Sequence, residues 1–250
     1  MQLSQKYLAD VLGEDWQDDY YVWDCAAGTG NLLAGLTNKR NLFASTLDKA
    51  DVAIMKESAR EGALSLFEGN IFQFDFLNDD LNGDKVPKAL KDILNDTKKR
   101  KKLVIYINPP YAEATNRHTI KGNKKHKANT SNDTYISKSY KNKMGKSSKE
   151  LFAQFLIRIQ HEIKAGVIAQ FSTLKTVQSI NFKKFRQQWT YKAVSAFLAP
   201  ANSFDNVKGK FPIGFFIWKK GEPNWLNFDL QADIYNRNGG GYRHSFDKVL

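Results

Sequence analysis

The chain has 250 residues, 42% hydrophobic and 13% aromatic, which excludes a disordered polymer and supplies enough apolar material for one large core. Its single cysteine, Cys25, excludes an internal disulfide framework, and no apolar run approaches the roughly 20 residues that span a bilayer. The formal net charge is +12, which directs attention to anionic partners.

The charge is clustered. Between Thr115 and Lys149 ten Lys/Arg stand against one acid, Asp133, and Lys98–Lys102 forms a second cationic run. Such runs suit a solvated, mobile surface or a polyanion-binding face. Both flank residues 108–111, which favours a nucleic-acid partner. The opening Met1–Lys6 lacks the layout of a signal peptide, so a cytoplasmic location is expected, with no membrane contact.

Leu3, Tyr7, Leu8, Val11 and Leu12 predict a short helix within residues 1–19, with Gly13 as its stop. Tyr20–Trp23 reads as a strand running into Asp24-Cys25-Ala26-Ala27-Gly28-Thr29-Gly30-Asn31, followed by a helix opening over Asn31–Thr37. Small residues allow close approach of a ligand to the backbone, although an ordinary tight βα turn has the same composition. The dinucleotide fingerprint Gly-x-Gly-x-x-Gly fails at Leu33, which counts against a nicotinamide or flavin enzyme. Asn41–Leu47 predicts a second strand, ending at Asp48, with a helix over Lys49–Glu61. An acid there can accept from ribose hydroxyls, cap the helix, or do both.

Ala63–Glu68 predicts a third strand. In the following loop Asp75 can accept from an amino group and Phe76 offers a flat apolar wall; a surface acid in an aromatic loop fits equally. A helix is expected around Lys88–Leu94. Leu103–Ile107 is a buried strand by length and β-branching, stopped by Asn108-Pro109-Pro110-Tyr111 because proline has no N–H and restricts its predecessor. Residues 112–149 lack apolar periodicity and read as a basic flexible insert. Glu150–Ile163 predicts an amphipathic helix, Gly166–Phe171 a strand, Asn181–Trp189 a helix with Lys183, Lys184 and Arg186 on a basic face, and Ala193–Leu198 and Ile213–Trp218 two further strands. The last thirty residues read as loop-rich.

The alternation of strands and helices gives a doubly wound α/β sheet. The residues also carry a resemblance. Asp24–Leu33, then Asp48, then Asp75-Phe76, then Asn108-Pro109-Pro110-Tyr111 resemble, in order, the motifs of the DNA adenine-N6 methyltransferases of restriction–modification systems. The similarity covers about residues 20–220. It implies a mostly parallel, seven-stranded Rossmann-like sheet with an antiparallel last strand, and S-adenosylmethionine as cofactor. By position, Asp24, Ala26, Gly28, Gly30 and Asn31 would surround the methionine part, Asp48 the ribose, and Asp75 with Phe76 the adenine. Asn108 and Pro109 would hold the target amine, with Pro110 keeping the turn rigid and Tyr111 stacking on the flipped base. Phe204 or Phe211 would stack from the other side, and Lys121, Lys124 and Lys125 would meet DNA.

The same acceptor geometry serves guanine-N2 methylation of RNA and methylation of a protein glutamine, and a non-catalytic nucleic-acid-binding subunit is a third reading. Residues 1–250 are expected to form a single catalytic domain without a separate target-recognition domain, so a specificity subunit or a missing domain is a further expected partner.

Overall fold

The structure is a computed structural model that describes residues 2–110, 133–201, 211–221, 228–236 and 241–248. In chain order the first half holds α1 (Leu3–Leu12), α2 (Trp16–Asp19), β1 (Tyr21–Asp24), β2 (Leu42–Thr46), α3 (Lys49–Arg60), β3 (Ile71–Gln73), α4 (Lys88–Asn95), α5 (Thr97–Lys101) and β4 (Leu103–Ile107). The second half holds α6 (Tyr135–Met144), α7 (Leu151–Arg158), β5 (Val167–Thr173), α8 (Lys175–Gln178), α9 (Lys183–Gln188), β6 (Tyr191–Pro200), β7 (Pro212–Lys220), β8 (Phe228–Tyr235) and β9 (Gly241–Lys248).

The described strands form one sheet in the order β3-β2-β1-β4-β5-β7-β6-β8-β9. β3, β2, β1, β4 and β5 are mutually parallel, and β7 inserts antiparallel between β5 and β6. This is the expected doubly wound sheet with an antiparallel late strand, and it has nine strands among the described residues where seven are expected. The additional two come from the segment read as loop-rich. β8 pairs parallel with β6 and turns back into β9.

β1, β2 and β4 are apolar runs because both faces of the sheet are covered. Trp23, Phe43, Ile105, Ile107 and Ile168 point to a core shared with α4, α6, α7 and α9. Val22, Leu42, Val104, Tyr106 and Val167 point to a second core under α1, α2 and α3. The period of two along each strand thus sorts alternate residues into two cores. Each fully buried Leu, Ile or Phe contributes about 2 kcal/mol of transfer free energy.

Four readings change. The third strand is Ile71–Gln73 rather than Ala63–Glu68. Leu64 and Leu66 are buried, but in a crossing segment whose Leu64 N–H and Ala63 N–H both donate to Ser58 O. The insert is not wholly a loop, since Thr134 caps α6 by accepting from Ser137 N–H at 2.9 Å. Arg186 does not belong to a basic face: it is 3% exposed and donates to the carbonyls of Thr176 and Ser179. Finally, Lys98–Lys102 does not flank Asn108 in space. It precedes β4, so a five-residue strand separates them, roughly 17 Å at 3.3 Å per residue.

Candidate active site

The strand order changes direction between β1 and β4, and the carboxyl ends of these two neighbours carry the first and last of the sequence motifs. In an open α/β sheet this switch point is where a crevice forms. Asp24 ends β1 with 1% exposure, and its Oδ1 accepts from Ala26 N–H at 3.0 Å. Burial pushes its carboxyl up to about 7, against the opposing effect of that N–H. Gly28 and Gly30 have φ of +53° and +88°, in the left-handed region that favours glycine. A Cβ on Gly30 would stand 2.8 Å from Leu64 Cδ1, so that glycine serves packing. A Cβ on Gly28 would meet nothing within 4 Å, so that glycine leaves its face of the loop open.

The expected helix opening over Asn31–Thr37 is a single 3-10 turn, Asn31–Leu33. Side chains from α1 and its cap take its carbonyls instead. Gln2 Nε2 donates to Asn31 O and Gln5 Nε2 to Ala34 O, each at 2.8 Å. Gly35, at φ +88°, turns the chain away immediately afterwards.

At the end of β2 the Asp48 side chain caps α3, its Oδ1 accepting from Ala50 N–H at 2.8 Å. Thr46 and Leu47, just before it, face the crevice, and Leu47 is 59% exposed. After β3, Asp75 folds its own loop: Oδ1 accepts from Leu77 N–H at 3.0 Å and Oδ2 from Asn78 Nδ2 at 2.8 Å. Phe76 stacks on Phe155 with ring centroids 4.7 Å apart.

Arg158 holds this loop from below. Its guanidinium donates to the carbonyls of Phe76 and Asp79, pairs with Glu162 at 2.8 Å and lies over the rings of Phe74 and Phe76. A buried cation is costly unless paired and hydrogen-bonded, and here it is both. From the far side Tyr135 N–H donates to Asn78 Oδ1, and Ile136 N–H to Leu77 O, so the start of α6 closes over the same loop.

A cavity of about 350 Å³ results. Ala26 and Gly28 line it from the β1 loop, Asp75 and Phe76 from the β3 loop, and Pro110 from the β4 turn. Thr46, Leu47, Thr134, Leu151 and Phe155 are also in its wall. Asp24, Gly30, Asn31 and Asp48 stand beside the cavity without lining it. Within the β4 turn Asn108 and Pro110 are exposed and Pro109 is buried. Tyr111, Lys121, Lys124, Lys125 and Phe204 lie outside the described residues.

Phe211 lines a second cavity of about 510 Å³, with Thr173, Lys175 and Ser179, at the carboxyl end of β5. Among the described residues of its wall, Thr173 Oγ1 is buried without a partner. No described group of His, Cys, Asp and Glu suits a metal ion, and no described helix is long and apolar enough to cross a membrane.

Sequence reasoning passed over Leu47, Thr134, Phe155 and Arg158. Arg158 did leave a signal, as a lone cation inside Phe155-Leu156-Ile157-Arg158-Ile159. Thr134 left none, because its position follows from tertiary contact.

No family model and no curated protein matches the chain. Solved structures do. The methyltransferase subunit of a type I restriction–modification system from Streptococcus thermophilus superposes with a TM-score of 0.54 at 16% identity, over 86% of this chain and 42% of that one. The chain has a methyltransferase fold. The DrdV–DNA complex superposes on this fold with a TM-score of 0.62 at 14% identity, over 94% of this chain and 27% of that one. A candidate class I S-adenosylmethionine-dependent methyltransferase from Listeria monocytogenes gives 0.53 at 13% identity, over 94% of this chain and 67% of that one. The chain therefore spans less than half the length of the first two proteins.

Proposed function

We propose that this methyltransferase fold transfers a methyl group from S-adenosylmethionine to the N6 amine of a DNA adenine. The carrying observation is the Asn108-Pro109-Pro110 turn at the end of β4, with Pro110 bordering a cavity walled by the small-residue loop after β1. The donor set fits such a cofactor. Gly28 leaves its loop face open, Leu47 is exposed at the cavity wall, and Asp75 borders it as an acceptor.

When bound, S-adenosylmethionine supplies an activated methyl on a sulfonium. The chain's own work is on the acceptor side. The exocyclic amine of adenine is a weak nucleophile because its lone pair is delocalised into the ring. Two acceptors aimed at its two N–H bonds favour a tetrahedral nitrogen and localise that lone pair. Asn108 Oδ1 and the Pro109 carbonyl supply them from a turn that proline rings hold rigid. Their effect grows as positive charge develops on nitrogen, so they stabilise the transition state more than the ground state. Alignment supplies much of the remainder.

A base inside a duplex cannot reach this edge and has to be flipped out. The cavity bordered by Thr173 and Phe211 is proposed to take it, with Tyr111 and Phe204 or Phe211 as stacking partners. Asp48 and Thr46 are proposed to meet the ribose, and Asp24, Gly30 and Asn31 to shape the loop around the methionine part. Lys121, Lys124 and Lys125 are proposed to meet the DNA backbone. The DNA complex among the similar structures, that of DrdV, supports DNA as the polymer. A specificity subunit or a further recognition domain is proposed to choose the sequence.

The test is incubation with methyl-labelled cofactor and a duplex library of varied sequence, with RNA and protein substrates in parallel. N6-methyladenine in the DNA is expected. Label confined to RNA guanine or protein glutamine would overturn the substrate, and label in none of them would overturn the enzyme.

A further inference from the structure

The opposite edge of the sheet carries a second site. At the amino ends of β4 and β5 lies a cavity of about 410 Å³ lined by Arg100, Lys101, Lys164, Lys219, Lys220 and Tyr20. Four segments build it, and backbone bonds fix them together. Gly166 N–H donates to Arg100 O at 2.8 Å, Lys220 N–H to Gly166 O at 3.1 Å, and Tyr21 N–H to Lys102 O at 2.9 Å. The approach is so close that a Cβ on Gly166 would fall 2.0 Å from Lys101 O.

Lys219 Nζ donates to the carbonyl of Val11 at 3.1 Å, and the charge there has no carboxylate partner among the described residues. Among the described residues none of the five cations forms an ion pair; Lys102 beside them pairs loosely with Asp19 at 3.7 Å, exposed on both sides. Lys192 stands directly across from Lys219, a like-charge pairing that disfavours the fold. Lys164 has φ +57° and ψ +40°, and among the described residues it is the only non-glycine at positive φ. Helices normally end there on glycine, since a side chain in that conformation is strained. A lysine kept where glycine folds more easily points to use of its side chain.

We infer that this cavity is a second phosphate-binding site, which takes the backbone of a nucleic acid away from the target base. Lysine-rich concavities gain affinity by displacing the counterions of a phosphodiester chain. The centres of protein interfaces, by contrast, are depleted of lysine, which disfavours an acidic protein as the occupant. Arg100 and the lysines supply diffuse positive charge, and Tyr20 offers a ring to a nucleoside. The site lies a strand length from Asn108, so its occupancy does not depend on whether the chain transfers methyl groups.

The experiment titrates the whole chain against a labelled non-cognate duplex of roughly 30 base pairs by anisotropy at several salt concentrations. The Lys101→Glu/Lys164→Glu/Lys220→Glu variant is expected to bind at least about tenfold more weakly, with a salt slope lower by roughly 2 to 3. Lys164→Gly is expected to melt no lower than the parent yet bind severalfold more weakly, which separates lost contact from lost folding. Duplex is expected to protect Lys101, Lys164 and Lys220 from acetylation. Unchanged affinity and slope in the triple variant, or no protection of these lysines, would overturn the site. Protection by polyglutamate but not by duplex would assign it to an acidic protein and equally overturn it. Because none of these readouts requires transfer, a chain that methylates nothing still tests the site.

Discussion

Asn108 sits where a fully buried apolar strand meets solvent: Ile107 anchors the turn while Asn108 stands exposed. Asp24 occupies the equivalent end of β1, but inside the protein. Its carboxyl is held up to about 7 by burial, while an exposed aspartate has released its proton above about 4. Between those values the unfolded chain binds fewer protons than the folded one, so unfolding free energy falls as pH rises. Denaturant titrations of the cofactor-free protein from pH 4 to 8 are expected to show that decline, and Asp24→Asn to flatten it. An Asp24→Asn profile as steep as the parent's would remove Asp24 from the account. At this scale the sequence was informative for residues whose chemistry is local. The Asn-Pro-Pro turn and the glycines at positive φ are written in residue types. Thr46 and Leu47 were missed because Asp48, one position on, is the stronger chemical signal, although its oxygen is engaged in capping α3.

Among the elements, the β3 loop depends on partners far away in sequence. Arg158, from α7, fixes the carbonyls of Phe76 and Asp79, and α6 covers the loop from the other side. Replacing Arg158 with Met would leave Glu162 without its cation and free two buried carbonyls. The expected loss is about 3 kcal/mol of stability, read from denaturant midpoints, with weaker cofactor binding by calorimetry. Stability lost without any change in binding would mean that the loop does not shape the cofactor cavity. β4 was legible because both its faces are buried and proline stops it. β3 was not: Ile71-Phe72-Gln73 is three residues long, while Ala63–Glu68 offers a longer, mostly apolar run. α6 was hidden because Ile136 and Met144 reach the core from a segment whose other residues are polar and basic. β8 and β9 gain their partners by extending the sheet beyond β6, a tertiary event with little local signal.

For the molecule as a whole, the two edges of the sheet carry unlike features. The carboxyl edge carries the cavity lined by the β1 and β3 loops and Pro110, with the Asn108 turn; the amino edge carries Arg100, Lys101, Lys164, Lys219 and Lys220. Reading Lys98–Lys102 as a neighbour of Asn108 joined what the five residues of β4 hold apart. The doubly wound topology was legible because strand and helix periods alternate along the chain, whereas the edge to which each charge belongs follows only from strand direction. The central claim, that Asn108 activates an amine on the carboxyl edge, is tested most directly by single-turnover transfer with Asn108→Ala. The protein would be saturated with labelled cofactor and given the DNA that the parent methylates, with cofactor affinity measured on the same sample. The expected result is a rate lower by about a hundredfold or more, with cofactor affinity unchanged. Transfer at the parent's rate by Asn108→Ala would contradict the account.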